Sequence, residues 1–257
     1  MATLTILGSG EAFDPQLPNT SLLYQGGRTV LIDCGFAAAQ SLWRYSNDPD
    51  LLDAVFITHH HADHTFGIPA LLMVLEGSRA PDPRRHRARP LTIIGPLGTQ
   101  AYLTQLFDLA YTPGLKRLTF PVEFLECSPG ETLNFGPLTI KTALPDHGIP
   151  VLSSRWEEES VCKFAYSADG KMTEATRLLF AEAPTLVHEC FALPGNEGPV
   201  HTHVQAVLEL AVASHTQTLV LVHQAMHQRE PIAAFVQNQK IFAGQVLMPT
   251  GVLQLSV

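Results

Sequence analysis

The stretch FITHHHADHTFGIPALL, Phe56 to Leu72, holds four histidines and one aspartate within six residues. Imidazole and carboxylate together are ligand chemistry for zinc, with iron and manganese less favoured. Side chains alternate along an extended backbone, so His59 and His61 project to one side and His60 to the other. A turn after the small Ala62 brings Asp63 and His64 beside the first pair. A single histidine in such a loop would read as a cap for the next helix. The pattern H-x-H-x-D-H directly behind an apolar strand favours a metal site instead.

Such a loop needs strands to hold it. Thr3 to Leu7, Leu22 to Tyr24, Thr29 to Asp33 and Ala54 to Ile57 are short apolar runs closed by turn residues and read as strands. Helical spacing covers Ala37 to Tyr45, Ile68 to Leu75 and Gly98 to Leu109, with a strand at Leu91 to Ile94 between the last two. From Phe120 to Ala143 the pattern returns to strands, and the FGP of ETLNFGPLTIKT marks a hairpin turn. Strands at Val161 to Tyr166, Thr185 to Val187 and Thr218 to Val222 alternate with helices at Thr173 to Phe180 and Val204 to Ala213. This ordering predicts two sheets packed face to face with helices outside, each half bringing a strand–helix edge to a shared cleft. A chain of 257 residues that is 46% apolar can bury such a core as one domain, residues 1–257.

Composition narrows the function classes. The formal charge of −8, from 24 acidic and 16 basic residues, argues against a broad nucleic-acid-binding face. Cys34, Cys127, Cys162 and Cys190 form no CxxC pair, so neither a thiolate zinc knuckle nor a disulfide framework is signalled, and a reducing cytoplasm is expected. No run approaches the roughly 20 apolar residues of a membrane span, and the N-terminus lacks a basic, then apolar, leader. The stretch GSRAPDPRRHRARP, with Arg79, Arg84, Arg85, Arg87 and Arg89, reads first as a solvated loop and second as a phosphate handle.

The motif resembles that of the metallo-β-lactamase superfamily, and within it the ribonuclease Z branch of phosphodiesterases. LGSGEAFDP, LIDCG, HTFGIPALL, LTIIGPLGTQ and LVHECF all look like landmarks of that branch, so the likeness covers most of the chain. It implies an α/β fold, the αββα four-layer sandwich, and two zinc ions. His59 and His61 would hold one ion and Asp63 and His64 the second. The family's later ligands are matched by His147 in LPDHGIP, the bridging Asp169 in YSADG, and His223 in LVLVHQ. A further family histidine aligns with His201 of HTHVQAVLELA, which leaves His203 as a helix cap. Asp33 of LIDCG would support the ligand histidines. Glu189 is open to two readings, toward the cleft or toward solvent, and His188 would point the opposite way.

The implied function is hydrolysis of a phosphodiester. Two ions roughly 3.5–4 Å apart share a bridging hydroxide, and Asp63 and His201 are the catalytic candidates for proton accepting and leaving-group protonation. Branch members that process tRNA carry a long Gly/Pro-rich arm between the lone histidine and the bridging aspartate. Here GIPVLSSRWEEESVCKFAYSA, short and acidic, takes its place, so a small or single-stranded phosphodiester is expected rather than structured tRNA. QAMHQREP after His223 also departs from the branch pattern. The alternative keeps the metals and changes the bond, to a carboxylic ester, lactone, thioester or sulfate ester. An iron redox protein is the lesser reading, and a homodimer is compatible with the chain.

Overall fold

Both faces of the first strands are apolar, which is what a sheet covered on both sides requires. A computed structural model describes residues 2–77, 86–112 and 114–257. Its first half contains β1 (Thr3–Gly8), β2 (Ser21–Gln25), β3 (Thr29–Ile32), α1 (Ala38–Tyr45), β4 (Ala54–Phe56), α2 (Ala62–Thr65), α3 (Ile68–Glu76), β5 (Leu91–Pro96), α4 (Thr99–Ala110) and β6 (Val122–Cys127). The second half contains β7 (Thr132–Phe135), β8 (Leu138–Ala143), β9 (Ser153–Glu158), β10 (Val161–Tyr166), α5 (Glu174–Phe180), β11 (Thr185–Glu189), α6 (Val204–Ala213), β12 (Thr218–Val222), α7 (Arg229–Asn238), β13 (Gln245–Leu247) and β14 (Leu253–Ser256). One sheet runs β14-β1-β2-β3-β4-β5-β6 and the other β13-β12-β11-β10-β9-β8-β7. The last strand thus returns to the first sheet, antiparallel to β1.

Alternation sorts the residues into layers. Leu4, Ile6, Leu22, Tyr24, Val30 and Ile32 join Trp156, Phe164, Tyr166 and Val187 between the sheets. Their neighbours Leu23 and Leu31 face outward, under Leu42, Leu71, Leu72, Leu103 and Phe107 from α1, α3 and α4. On the other side Ala165, Leu186, Leu219 and Leu221 face Phe180, Val204, Val207 and Ile232 from α5, α6 and α7. The result is the expected helix–sheet–sheet–helix sandwich. Trp156 and Phe164 stack in its centre with ring centroids 5.5 Å apart. The β7–β8 hairpin turns at Gly136, whose φ of 61° is a conformation glycine adopts without a Cβ penalty.

The short acidic segment between His147 and Asp169 carries the strand expected at Val161 to Tyr166 as β10, paired antiparallel with β9 within the second sheet. Its Trp156 is fully buried, Glu157 is paired with Lys141 and Arg155, and Glu158 accepts a bond from the Gly27 amide. Arg87 is neither solvated nor a phosphate handle. Its buried guanidinium donates to the carbonyls of Pro49, Leu52, Arg89 and Pro90, and Arg89 pairs with Asp53. Arg79, Arg84 and Arg85 lie outside the described residues.

Candidate metal centre

In the first sheet β3, β4, β5 and β6 run parallel, and in the second β10, β11 and β12 do. Two antiparallel steps through β9 make β8 parallel to β10. The carboxyl ends of β3, β4, β8, β10, β11 and β12 therefore open on one edge of the sandwich, where parallel α/β sheets place their ligands. Asp33 follows β3, the histidine motif follows β4, His147 follows β8, Asp169 follows β10, Glu189 ends β11 and His223 follows β12. Residues spread over 190 positions of chain meet because strand direction, not sequence spacing, decides where a strand's last residue sits.

The motif loop is held from below by LIDCG. Asp33 is fully buried; its carboxylate accepts from Thr58 N at 2.8 Å, from the Thr58 hydroxyl at 2.9 Å and from His64 Nδ1 at 2.9 Å. The Cys34 amide donates to the His64 carbonyl, and the Gly67 amide to the Cys34 carbonyl. Gly35 has no room for a side chain, since a Cβ there would lie 1.9 Å from the Asp63 carbonyl oxygen. Asp33, Ala168 and His223 all adopt left-handed backbone conformations, φ 59°, 54° and 57°. Such conformations are uncommon for non-glycine residues, with aspartate and histidine among those that adopt them most readily. His60 points away, as alternation requires. Its Nε2 lies 2.8 Å from the Thr99 hydroxyl and its ring stacks on Tyr102 with centroids 4.6 Å apart, tying the loop to α4.

Facing the cleft, donor atoms of His59, His61 and His147 lie within 4.8 Å of one another, and so do those of Asp63, His64, Asp169 and His223. A third such group comprises Glu189, His201 and His223. His64 Nε2 is 3.1 Å from Asp63 Oδ2 and 3.5 Å from Asp169 Oδ2, and His223 Nε2 is 3.1 Å from Asp169 Oδ2. His64 Nε2, Asp169 Oδ1, His147 Nδ1 and both ring nitrogens of His223 are buried without a hydrogen bond. Unpartnered buried polar atoms are costly. A cation among them would satisfy several at once, so the donor set fits a metal.

The electrostatics of His59, His61 and His147 agree with that fit, while the carboxylates around His64 and His223 hold those two rings toward a positively charged form whose place a metal ion would take. Burial pushes the histidine pKa of His59, His61 and His147 below its ordinary value, which keeps these rings neutral and able to ligate. Burial opposes ionisation of Asp63 and Asp169 as well, yet their histidine neighbours outweigh it and hold both carboxyls well below the usual range. His64 is pushed well up, because Asp33 and Asp169 overcome its burial. Glu189 is raised by burial and by Asp169; it accepts from the Gly170 amide at 2.9 Å and lies 3.2 Å from His201 Nδ1.

Every residue singled out for the site from the sequence lies at this edge. Glu189 faces inward, toward His201, and His188 lies on the opposite face with its ring edge-on to Phe180. His203 caps α6, its Nδ1 accepting from the Ala206 amide. Sequence reasoning passed over Phe13, Phe36 and Phe191, which line the cleft beside His61 and His201. Their signal was available: GEAFDP and CGF each set a large apolar ring into a turn-rich segment.

Comparison with known proteins places this geometry. Residues 28–224 match the family model described as the beta-lactamase superfamily domain. A ribonuclease Z of Methanosarcina acetivorans is 29% identical over 154 residues, 59% of this chain and 47% of that protein. One from Bacillus thuringiensis is 30% identical over 161 residues, 60% of this chain and 49% of that protein. The chain thus spans about half the length of the curated relatives it matches. Among solved structures, the metallo-β-lactamase fold protein YhfI from Bacillus subtilis aligns with a TM-score of 0.78 at 22% identity, covering 99% of each chain. The short form of human tRNase Z aligns at 0.79 and 20% identity, again over 99% of each chain. A diphosphatase from the PhnP family aligns at 0.76 and 19% identity, over 100% of this chain and 98% of that one.

Proposed function

The chain belongs to the β-lactamase superfamily, and on that footing we propose that it is a dinuclear zinc-dependent phosphodiesterase acting on a small or single-stranded substrate. The observation that carries the reading is the pair of adjoining donor sets, His59, His61 and His147 beside Asp63, His64, Asp169 and His223, with unpartnered buried nitrogens and oxygens turned to a common space. Likeness to ribonuclease Z in sequence, and to tRNase Z in fold, supports the phosphodiester as the bond, and likeness in fold to a PhnP-family diphosphatase supports phosphoryl chemistry more broadly.

In this reading His59, His61 and His147 would hold one ion, Asp63, His64 and His223 the other, and Asp169 would serve both. When bound, the ions lower the pKa of water and polarise a phosphoryl oxygen. Asp63, its carboxyl held ionised by His64 and His223, is an acceptor that would orient the attacking water. His201 has its Nδ1 engaged by Glu189, which leaves Nε2 to protonate the departing oxygen. Structured tRNA is not the expected substrate, because the residues between His147 and Asp169 are built into the second sheet as β9 and β10. The four cysteines are free, in keeping with a cytoplasmic location, and no helix among the described residues is long and apolar enough to cross a membrane.

The test is metal analysis of the purified protein together with hydrolysis of bis(p-nitrophenyl) phosphate, a p-nitrophenyl carboxylic ester and a lactone panel. About two zinc ions per chain and cleavage of the phosphodiester are expected, with Asp63→Ala and His64→Ala each lowering kcat by at least roughly a hundredfold. A metal-loaded protein that cleaves only the ester or lactone refutes the reading.

A further inference from the structure

We propose that the cleft selects phosphodiesters carrying one flat ring, a nucleobase or an aryl group, and that Phe13 and Phe36 grip that ring at the mouth. The inference rests on the phosphodiesterase reading and names the substrate class it serves. The cleft is about 420 Å³, room for a single nucleotide-sized molecule, and its rim carries Phe13 at 87% and Phe36 at 55% exposure. Two large apolar rings left in water on the rim of one polar cleft form an apolar patch of the kind that marks a binding surface.

Neither ring is a loose side chain on a wandering loop. Asn19 donates from Nδ2 to the Glu11 carbonyl at 3.0 Å and accepts the Phe36 amide on Oδ1 at 3.0 Å, so one buried side chain spaces the two phenylalanine segments. The Phe13 amide donates to Glu11 Oε2, and Asp14, whose side chain is buried, accepts from the Gln16 and Leu17 amides and pairs with Arg229 of α7. The Phe36 ring is buttressed edge-on by Phe66 at 5.8 Å. Deeper in, Phe191 lies flat on the His201 ring, centroids 4.4 Å apart, and closes the wall behind the site.

The charges around the cleft decide what such rings are for. No lysine or arginine is among the described residues that line it, and its rim carries the Glu11 carboxylate. A polyanion engages its partner through cations that neutralise several phosphates, and the described residues of this mouth offer none. A phosphodiester has one negative charge, which the metal centre can meet, and the rest of its recognition must come from the attached groups. Stacking on phenylalanine serves any flat ring and is tolerant of its identity.

The test uses the zinc-loaded protein and two phosphodiester monoanions of equal charge, diphenyl phosphate and diethyl phosphate. Binding is measured by calorimetry and, separately, by competition against bis(p-nitrophenyl) phosphate hydrolysis. Wild type should bind diphenyl phosphate at least roughly tenfold more tightly, and Phe13→Ala or Phe36→Ala should each remove most of that preference while leaving diethyl phosphate within about twofold. Phe13→Tyr and Phe36→Tyr should keep it, with melting temperatures unchanged throughout. Equal affinity for the two diesters in wild type, or alanine variants that keep the preference, overturns the inference while hydrolysis stands. Alanine variants that turn a dimer into a monomer without altering the preference overturn it too, and assign the rings to contact with a second copy. Absence of any phosphodiester hydrolysis with ring preference intact overturns the earlier reading instead.

Discussion

Replacing Asp33 by asparagine changes a carboxylate that is expected never to touch substrate, yet the hydrogen bonds around it dictate a large loss of metal affinity. Each carboxylate oxygen accepts from an N–H: Oδ1 from Thr58 N at 2.8 Å and Oδ2 from His64 Nδ1 at 2.9 Å. An amide has one accepting oxygen. If it faces Thr58, the amide nitrogen confronts His64 Nδ1–H, donor against donor. His64 then relieves the clash by moving its proton to Nε2, the atom that faces Asp63 and Asp169 in the donor cluster. If the amide flips, Thr58 N loses its acceptor, and an unsatisfied buried amide costs about 1–3 kcal/mol. Removing the partner that fixes a ligand histidine lowers metal affinity by roughly 10–100-fold, which is about 1.4–2.7 kcal/mol at 1.36 kcal/mol per tenfold. Zinc titration against a competing chelator at neutral pH measures this directly, and circular dichroism shows whether the metal-free variant keeps its fold. Asp33→Asn protein that is folded and binds zinc within about twofold of wild type refutes the tautomer argument.

Two further outcomes concern the scaffold. Arg87→Met removes four bonds to main-chain carbonyls from a buried guanidinium and should cost about 3 kcal/mol. At roughly 2–4 °C per kcal/mol for a chain of this size, the melting temperature should fall by about ten degrees with KM for a phosphodiester unchanged; a raised KM at unaltered stability restores the phosphate-handle reading. Glu157 has its carboxyl held below the usual glutamate value: burial opposes the charge, and bonds from Arg155 and Lys141 outweigh it. A depressed carboxyl adds stability above its unfolded pKa and loses it as pH falls through the folded one. Glu157→Gln should therefore be destabilised at pH 7 and converge on wild type below the ordinary glutamate value near 4.5, as denaturant midpoints across pH would show.

What the sequence disclosed and what it withheld divide along one physical line. The H-x-H-x-D-H loop, the LIDCG turn and the FGP hairpin are local: backbone alternation and turn chemistry act over a few residues, so the letters report them. WEEE disclosed its charge but not its structural role, because its partners are not local. Trp156 is a core residue whose neighbour Phe164 lies across a hairpin, and Glu157 is neutralised by Lys141, 16 positions away on β8. Read as a string, three glutamates repel phosphate; set into a sheet, the first is an ion pair and the second holds a turn. Arg87 reversed its meaning for the same reason, since the carbonyls of Pro49 and Leu52 reach it from before β4.

The centre itself shows why a resemblance was needed to gather its ligands. Nothing in the spacing of His59, His147, Asp169 and His223 says that they meet. The parallel direction of β4, β8, β10 and β12 does, and that direction is a property of two completed sheets. At the same edge Asp33, Ala168 and His223 take left-handed backbone conformations, which aspartate and histidine enter more readily than most residues and alanine rarely does. Glu159, Ser160, Glu182 and His215 take the same conformation in turns away from the cleft, so positive φ marks tight turns in general, and it is the convergence of the strand ends that marks the site.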